Sequence, residues 1–245
     1  MINFSYTEKN KEELFENGCT FFRFTSDIAK NDLKFWQSGI LKILRDSSSQ
    51  EYKELQCLIS IHQHWHHINF SRVSEILEEK DFKDNINLSK KTFAYQKRMY
   101  EYIKEINDFF YKENGTLDNH ESEPVFQIYN LNDCILPHSD GIRPGRNASL
   151  LMYLGVFGGD KHVGWYPELG GELVVSKPTS TGYNDWKDPN DPYIPTQQFV
   201  CPPASGTCAL IDFTKGDPRH EVKNMNVRGF QRIVLNTFLT TTHNE

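Results

Sequence analysis

The positions of glycine and proline constrain the fold of this chain more than any other feature. Before residue 120 only Gly18, Gly39 and Gly115 interrupt the sequence, and the first proline is Pro124. After that point short apolar runs alternate with glycine, proline, asparagine and aspartate. Glycine and proline destabilise helices and mark turns. We therefore predict one domain, 1–245, in which residues 1–120 are mainly helical and residues 121–245 are built from strands.

Apolar periodicity locates the individual elements. Apolar side chains recur three and four positions apart in residues 32–45 and again in residues 89–111, where Ser89 can cap a helix. A short strand is predicted between them at residues 20–24. In the second half the predicted strands are residues 125–129, 150–154, 172–175, 198–201, 207–213 and 233–239. Many short strands indicate a sandwich or a jelly roll, so the expected fold class is α+β, with helices packed outside a jelly-roll core.

Two histidines and one aspartate in the second half have the composition of a metal site. His138 and Asp140 are two positions apart, and His220 follows the predicted strand at residues 207–213. Residues two apart on a strand point to the same side, so His138 and Asp140 could reach one ion. Two imidazoles and one carboxylate, without cysteine, form the facial triad that binds Fe(II) in non-haem oxygenases.

The overall composition excludes several other functions. The net charge is -6 and no basic cluster is present, which argues against nucleic acid as a partner. No apolar run is long enough to span a membrane, and no signal peptide is recognisable at the N-terminus. Five cysteines are irregularly spaced, so no disulfide framework is expected and a cytoplasmic location is favoured.

The motifs around the two histidines strengthen the metal-site interpretation. Gly170-Gly171-Glu172-Leu173 precedes one predicted strand, and Gly229-Phe230-Gln231-Arg232 opens the last one. With His138-Ser139-Asp140 and His220, these motifs make residues 127–239 resemble the catalytic jelly roll of the Fe(II)/2-oxoglutarate-dependent oxygenases, in their prolyl-4-hydroxylase-like branch. The resemblance implies a double-stranded β-helix supported by N-terminal helices. It also implies Fe(II) as cofactor and 2-oxoglutarate and O2 as cosubstrates, and it allows ascorbate as an accessory reductant.

The same resemblance assigns roles to individual residues. It makes His138, Asp140 and His220 the iron ligands and Arg232 the partner of the distal carboxylate of 2-oxoglutarate. Because most relatives have a shorter interval after the second histidine, Arg228 remains an alternative for that role. The other residues that the resemblance places at the cosubstrate are Tyr153, Tyr129 and Asn236.

Two further segments attract attention. Residues 177–196 form a long connection with interleaved aromatic residues, which is typical of a flap over a substrate. Its Tyr183 and Trp186, together with Trp165, are candidate substrate contacts. In residues 62–67, His62 and His66 would share one face of a helix and could bind zinc. The end of a helix exposed to solvent, or a wall of the substrate pocket, is the other interpretation of this cluster.

The predicted reaction is hydroxylation of an aliphatic C–H bond with release of succinate and CO2. Asp140 argues against halogenation, since the halogenating members of the family lack this carboxylate, whereas desaturation stays open. The expected substrate is a small molecule, such as an amino acid or a natural-product intermediate. A peptidyl, prolyl-type hydroxylase acting on a protein is the first alternative. A non-catalytic, cupin-like metal-binding module is the alternative from another class.

Overall fold

The computed structural model describes residues 3–45, 56–59, 63–69, 89–112, 115–119, 124–140, 147–159, 161–178, 195–216 and 218–243. The helices in these ranges are α1 (Glu8–Asn17), α2 (Asp27–Arg45) and α3 (Ser89–Phe110). The strands are β1 (Cys19–Arg23), β2 (Gln56–Ile59), β3 (Gln63–Asn69), β4 (Gly115–Asn119), β5 (Val125–Tyr129), β6 (Cys134–His138), β7 (Ala148–Gly158), β8 (Lys161–Val163), β9 (Leu173–Pro178), β10 (Pro195–Cys201), β11 (Thr207–Asp212), β12 (Arg219–Val222) and β13 (Phe230–His243). A 3₁₀ turn covers Pro167–Leu169.

The strands form one continuous antiparallel arrangement that folds into two layers. Its order is β1-β11-β7-β13-β5-β3-β6-β12-β9-β10. Strand β3 pairs with both β5 and β6, so it joins the two layers. The larger layer contains β1, β11, β7, β13 and β5, and the smaller layer contains β6, β12, β9 and β10. Antiparallel strands in this order, with helices outside, confirm the predicted α+β double-stranded β-helix.

Two hydrophobic clusters show how the layers are covered. Trp36 of α2 and Ile106 of α3 belong to the first cluster, which packs the helices against the outer face of the larger layer. On β13, Ile233 joins this cluster while its neighbour Val234 joins the second, which lies between the layers. This period of two is what a strand covered on both faces requires. The second cluster forms the interior in which the candidate site lies.

The cluster at residues 62–67 is not helical, which corrects the sequence-based prediction. Residues from Gln63 onward belong to β3, and their pairing with β5 and β6 outweighs the local helical spacing. His62 lies outside the described residues. A helix face shared by His62 and His66 is therefore wrong. Instead, successive side chains of β3 alternate between the two faces of the strand.

Other boundaries differ less from the sequence-based prediction. Helix α2 begins at Asp27 and α3 ends at Phe110, close to the periodic segments that predicted them. Strands β2, β3 and β4 lie in the first half, where only β1 was expected. β3 and β4 are stabilised by pairing with the distant strands β5 and β13, and β2 pairs with the nearby β3. None of the helices in the described ranges combines the length and apolarity needed to cross a membrane. Cys19, Cys134, Cys201 and Cys208 are free thiols.

The turn before β9 depends on glycine. Gly170 has φ 70° and ψ -156°, a conformation that is essentially restricted to glycine. A Cβ at Gly170 would also overlap the backbone carbonyl oxygen of Asn224. This glycine lets the chain pass close to residues 224–226 before it enters the smaller layer.

We expect Gly170→Ala to lower the free energy of unfolding by about 2 kcal/mol or more. The backbone strain of alanine at this φ and the overlap of its Cβ with the Asn224 oxygen both contribute to the loss. Gly164→Ala is the matched control, since a Cβ at Gly164 would meet nothing within 4 Å. Urea unfolding of both variants measures the difference. Equal stability of the two variants would contradict the described path of this turn.

Candidate metal centre

Two histidines face each other across paired strands. His138 is the last residue of β6, and His220 lies opposite it on β12 in the antiparallel register. Their ring centroids are 4.2 Å apart. Both side chains are buried in the interior between the two layers. The strand pairing therefore fixes the relative position of the two imidazoles through backbone hydrogen bonds.

Asp140 completes the cluster from just beyond the end of β6. One carboxylate oxygen, Oδ1, is 3.8 Å from Nε2 of His138, and the other, Oδ2, is 3.6 Å from Nε2 of His220. One ligand atom from each of the three residues lies within 4.8 Å of the others. The chain bends after His138, so Asp140 reaches the cluster from this bend and not from the strand itself. Such a set of donors could hold one metal ion on one side.

The protonation states of the histidines suit metal binding. Nδ1 of His138 is 2.9 Å from the backbone oxygen of Leu136. A proton on Nδ1 would be donated to that oxygen and would leave the lone pair of Nε2 directed toward Asp140. Burial, reinforced by His138, lowers the pKa of His220 to about 3, although Asp140 acts in the opposite direction. His220 is therefore neutral near pH 7, as a metal ligand must be.

The cluster opens into a cavity of about 280 Å³ between the layers. Its walls combine apolar side chains with a few amides, imidazoles and aromatic rings. The lining residues are Trp65, His67, Val125, Gln127, Tyr129, Ile135, His138, Asp140, Ser149, Leu151, Leu173, His220, Val222, Asn236 and Phe238. A mainly apolar cavity with a few polar groups is typical of a small-ligand site.

Arg232 carries a buried charge that the described residues do not neutralise. Its side chain has 0% exposure. Nη2 donates to the hydroxyl of Tyr153 at 3.2 Å, and Cζ lies 4.3 Å from the ring centroid of Tyr129. Nε and Nη1 have no hydrogen-bond partner among the residues that the structure describes. Since buried charges are normally paired, this guanidinium fits an anionic ligand that would supply the missing acceptors.

The surroundings of Arg232 keep it in place and supply neutral donors. A Cβ at Gly171 would lie 3.2 Å from Cδ of Arg232, so glycine leaves room for the arginine stem. Burial raises the pKa of Tyr129 to about 12 and raises the pKa of Tyr153 further. Both phenols therefore stay protonated at neutral pH. The hydroxyl of Tyr129 donates to Oε1 of Gln127 at 3.2 Å.

The other predicted site residues are distributed differently. Asn236 lines the cavity and its Oδ1 accepts a hydrogen bond from Ser149 at 2.8 Å. Arg228 is exposed in the turn before β13, whereas Arg232 is buried on β13; neither arginine, nor Tyr153, is among the residues that line the cavity. Trp165 is half-buried and donates its indole N–H to the backbone oxygen of Gly170 at 2.9 Å, also away from the cavity wall. Tyr183 and Trp186 lie outside the described residues.

Trp65 and His67 line the cavity, which agrees with one of the two interpretations of residues 62–67, a wall of a pocket. They are two positions apart on β3 and so share its inner face. His66 faces the other way, with Nδ1 3.1 Å from Nδ2 of Asn130. No local signal separates Trp65 and His67 from His66, because their inward position depends on the pairing of β3 with β5 and β6.

Comparisons with known proteins show which solved structures share this fold. No protein-family model and no curated protein sequence matches the chain. Among solved structures, a prolyl-4-hydroxylase from Pseudomonas putida is 15% identical, with a TM-score of 0.56 over 96% of this chain and 98% of that one. A prolyl hydroxylase from Trichoplax adhaerens, in complex with a peptide fragment of hypoxia inducible factor, is 11% identical, with a TM-score of 0.61 over 95% and 88%.

A third similar structure is a natural-product enzyme. The epimerase SnoN, in complex with Fe3+, alpha ketoglutarate and nogalamycin RO, is 11% identical, with a TM-score of 0.58 over 95% of this chain and 82% of SnoN. At such identities the likeness concerns the course of the backbone. Across nearly its whole length, the chain has the double-stranded β-helix fold of the 2-oxoglutarate-Fe(II) oxygenases, as it occurs in the prolyl hydroxylases.

Proposed function

We propose that the chain is a non-haem Fe(II)- and 2-oxoglutarate-dependent oxygenase. The observation that carries this proposal is the buried guanidinium of Arg232, whose Nε and Nη1 have no partner among the described residues and which packs on Tyr129, a residue that lines the cavity with His138, Asp140 and His220. A metal-binding module without a cosubstrate would not need a buried arginine there. The fold shared with oxygenases that bind Fe and alpha ketoglutarate, such as SnoN, supports the same conclusion.

Each residue of the interior has a task in this proposal. His138, Asp140 and His220 would hold the iron on one side and leave its other side open to ligands. The guanidinium of Arg232 and the hydroxyl of Tyr153 would bind the distal carboxylate of 2-oxoglutarate through charge-assisted hydrogen bonds. When bound, iron and 2-oxoglutarate would supply the chemistry that consumes O2: one oxygen atom would enter succinate, formed with CO2 from 2-oxoglutarate, and the other would enter an aliphatic C–H bond as the hydroxyl group.

The remaining walls orient the cosubstrate and exclude water. Leu151 and Leu173, from opposite layers, line the cavity together with Ile135 and Val222. Apolar walls keep water from competing for the arginine and strengthen its attraction for a carboxylate. Asn236 has its oxygen engaged by Ser149, so its amide N–H groups are available to a ligand in the cavity.

We propose a small molecule, such as an amino acid or a natural-product intermediate, as the substrate. The net charge of -6 and the modest cavity of about 280 Å³ favour this class over a nucleic acid. A peptidyl substrate is the second candidate, because one of the compared prolyl hydroxylases holds a peptide. The third candidate, a cupin-like metal-binding module without catalytic activity, is disfavoured because it would have no use for the buried Arg232.

Anaerobic addition of Fe(II) and 2-oxoglutarate should give a visible metal-to-ligand charge-transfer band. We expect His138→Ala to abolish the band and Arg232→Met to raise the 2-oxoglutarate concentration needed for it by a factor of 10 or more, since a charge-assisted hydrogen bond is lost (roughly 1.5–3 kcal/mol). Arg228→Met is the matched control and should behave like the wild type, because Arg228 is exposed.

Thermal unfolding keeps this test interpretable. Arg232→Met removes an uncompensated buried charge, so it should not destabilise the ligand-free protein. Absence of the band in folded wild-type protein, or equal cosubstrate binding by the Arg232 and Arg228 variants, would reject the proposed function.

The lowered pKa of His220 predicts a pH-dependent stability. Between about pH 6.5 and pH 3 the unfolded chain binds a proton at this histidine and the folded chain does not. Stability contributed by His220 is therefore present above pH 6.5 and is lost as the pH falls. In chelator-treated protein, the change from pH 7 to pH 5 should cost wild type about 2 kcal/mol more than His220→Asn. Urea unfolding at both pH values measures this, and an equal loss in both proteins would contradict a buried neutral His220.

Succinate formation identifies the class of substrate. We expect free amino acids or small natural products to stimulate succinate release above the uncoupled rate, and Asp140→Ala to abolish the stimulation. A panel of proline-containing peptides is the comparison. Stimulation by peptides alone would replace the small-molecule proposal with the peptidyl one.

A further inference from the structure

A second pocket lies where α2 passes the end of β1. Its volume is about 520 Å³, and it shares no lining residue with the cavity of the candidate metal centre, the metal cavity. Its walls come from α2, the end of β1, β8 and the turn before β11. A pocket of this size can hold a small organic ligand.

One face of α2 forms the first wall of this pocket. Lys30, Lys34 and Gln37 are four and three positions apart, so their side chains leave the helix on the same side. Both lysines are exposed, whereas Gln37 is half-buried. Nε2 of Gln37 donates to the backbone oxygen of Leu154 at 2.6 Å and to Oγ of Ser205 at 3.1 Å. These hydrogen bonds hold α2 against the floor of the pocket.

The pocket is positively charged, although the chain as a whole has a net charge of -6. Arg23, at the end of β1, lines it together with Lys30 and Lys34, and none of the described residues that line it is acidic. Oδ1 of Asp27 is 3.9 Å from Nζ of Lys30 and offsets one of these three charges. An excess of two positive charges therefore remains around the pocket.

Two serine hydroxyls in the same pocket add hydrogen-bond donors. Oγ of Ser205 accepts from Gln37, and Oγ of Ser5 accepts from the backbone N–H of Arg23 at 3.3 Å. A hydroxyl group has one proton besides its lone pairs. Each serine therefore keeps a proton that it can donate to a ligand. Cations and hydroxyl donors together indicate a ligand with several acceptor oxygens.

Two apolar side chains complete the lining. Phe24 and Leu33 both line the pocket, and each is 6% exposed. Gly206 lies beside them, since a Cβ at Gly206 would be 3.7 Å from Cδ2 of Leu33. A bare inorganic ion would leave this apolar surface and most of the volume unused. The ligand should therefore carry a small apolar body as well as a charge.

We propose that this pocket binds a small phosphate monoester with an apolar body. Such a phosphate carries a charge of about -1.5 to -2 at pH 7, which matches the excess of two positive charges. Its oxygens would accept from Arg23, Lys34 and the two serine hydroxyls through charge-assisted hydrogen bonds. Phe24 and Leu33 would contact the apolar body. Because the pocket is separate from the metal cavity, this inference does not depend on the proposed oxygenase function.

Phenyl phosphate is the probe, since it joins a phosphate to one aromatic ring. Isothermal titration calorimetry of chelator-treated protein at low ionic strength measures its Kd. We expect Lys34→Gln to raise the Kd by a factor of about 3 or more, and Arg23→Gln with Lys34→Gln to raise it by about 10 or more, the effect of one and two exposed charge contacts.

Lys42→Gln is the matched control, because it removes the same charge from an exposed position in the last turn of the same helix. Lys42 is about 12 Å from Lys34 along the helix axis, which is roughly one Debye length. This variant should change the Kd of phenyl phosphate by less than about twofold. Equal Kd values for Lys34→Gln and Lys42→Gln would overturn the proposal.

Two further comparisons test the ligand class and the location. Benzoate has the same ring but a single charge, so it should bind more weakly than phenyl phosphate by a factor of about 3 or more; equal binding would overturn the preference for a phosphate. Arg232→Met should leave the Kd of phenyl phosphate unchanged, whereas a loss in this variant would place the ligand in the metal cavity and overturn the site. Absence of saturable binding by folded wild-type protein would also reject it, while the anaerobic charge-transfer band tests the oxygenase proposal separately.

Discussion

The positive charge of Arg232 is the constraint around which the interior of this protein is arranged. A guanidinium with 0% exposure is costly to bury, and the described residues offer it the hydroxyl of Tyr153 and the rings of Tyr129 and Tyr153 but no carboxylate. Gly171 clears space for its stem, and the apolar side chains of the second cluster enclose it. The anionic cosubstrate that we propose would complete this interior. The ligand-free protein would then be less stable, in favour of ligand binding.

The sequence indicated which residues come together better than it indicated the elements that carry them. His138, Asp140 and His220 were selected by residue type and by turn signals, and the structure brings all three within 4.8 Å. Asp140 nevertheless reaches the cluster from a bend after β6, where an extended strand was expected. Arg232 is followed by the apolar residues 233–235, whereas Arg228 precedes the turn glycine Gly229. That pattern predicts a buried strand position, whereas Arg228 lies in an exposed turn.

The misassigned histidine cluster shows what local patterns lack. Residues 62–67 contain histidines at helical spacing, yet β3 is stabilised by pairing with the nearby β2 and with β5 and β6, which are distant in sequence. Pairing partners cannot be read from a window of six residues, because strand formation depends on neighbours across the sheet. The inward position of Trp65 and His67 therefore could not be separated from the outward position of His66 until the strand was known.

The position of β3 has a mechanical consequence for the two halves of the site. The segments that carry Tyr129 and His138 follow one another along the same edge of β3, with Ile128 paired to His66 and Ile135 paired to Gln63. Sliding one layer past the other would break these backbone hydrogen bonds. The interval between Tyr129, which Arg232 contacts, and the candidate metal ligand His138 is thus set by strand register, which changes only in whole residues. If 2-oxoglutarate is the cosubstrate, as we propose, a 2-oxo acid longer or shorter by one methylene would be misplaced by a distance that the backbone cannot adjust to.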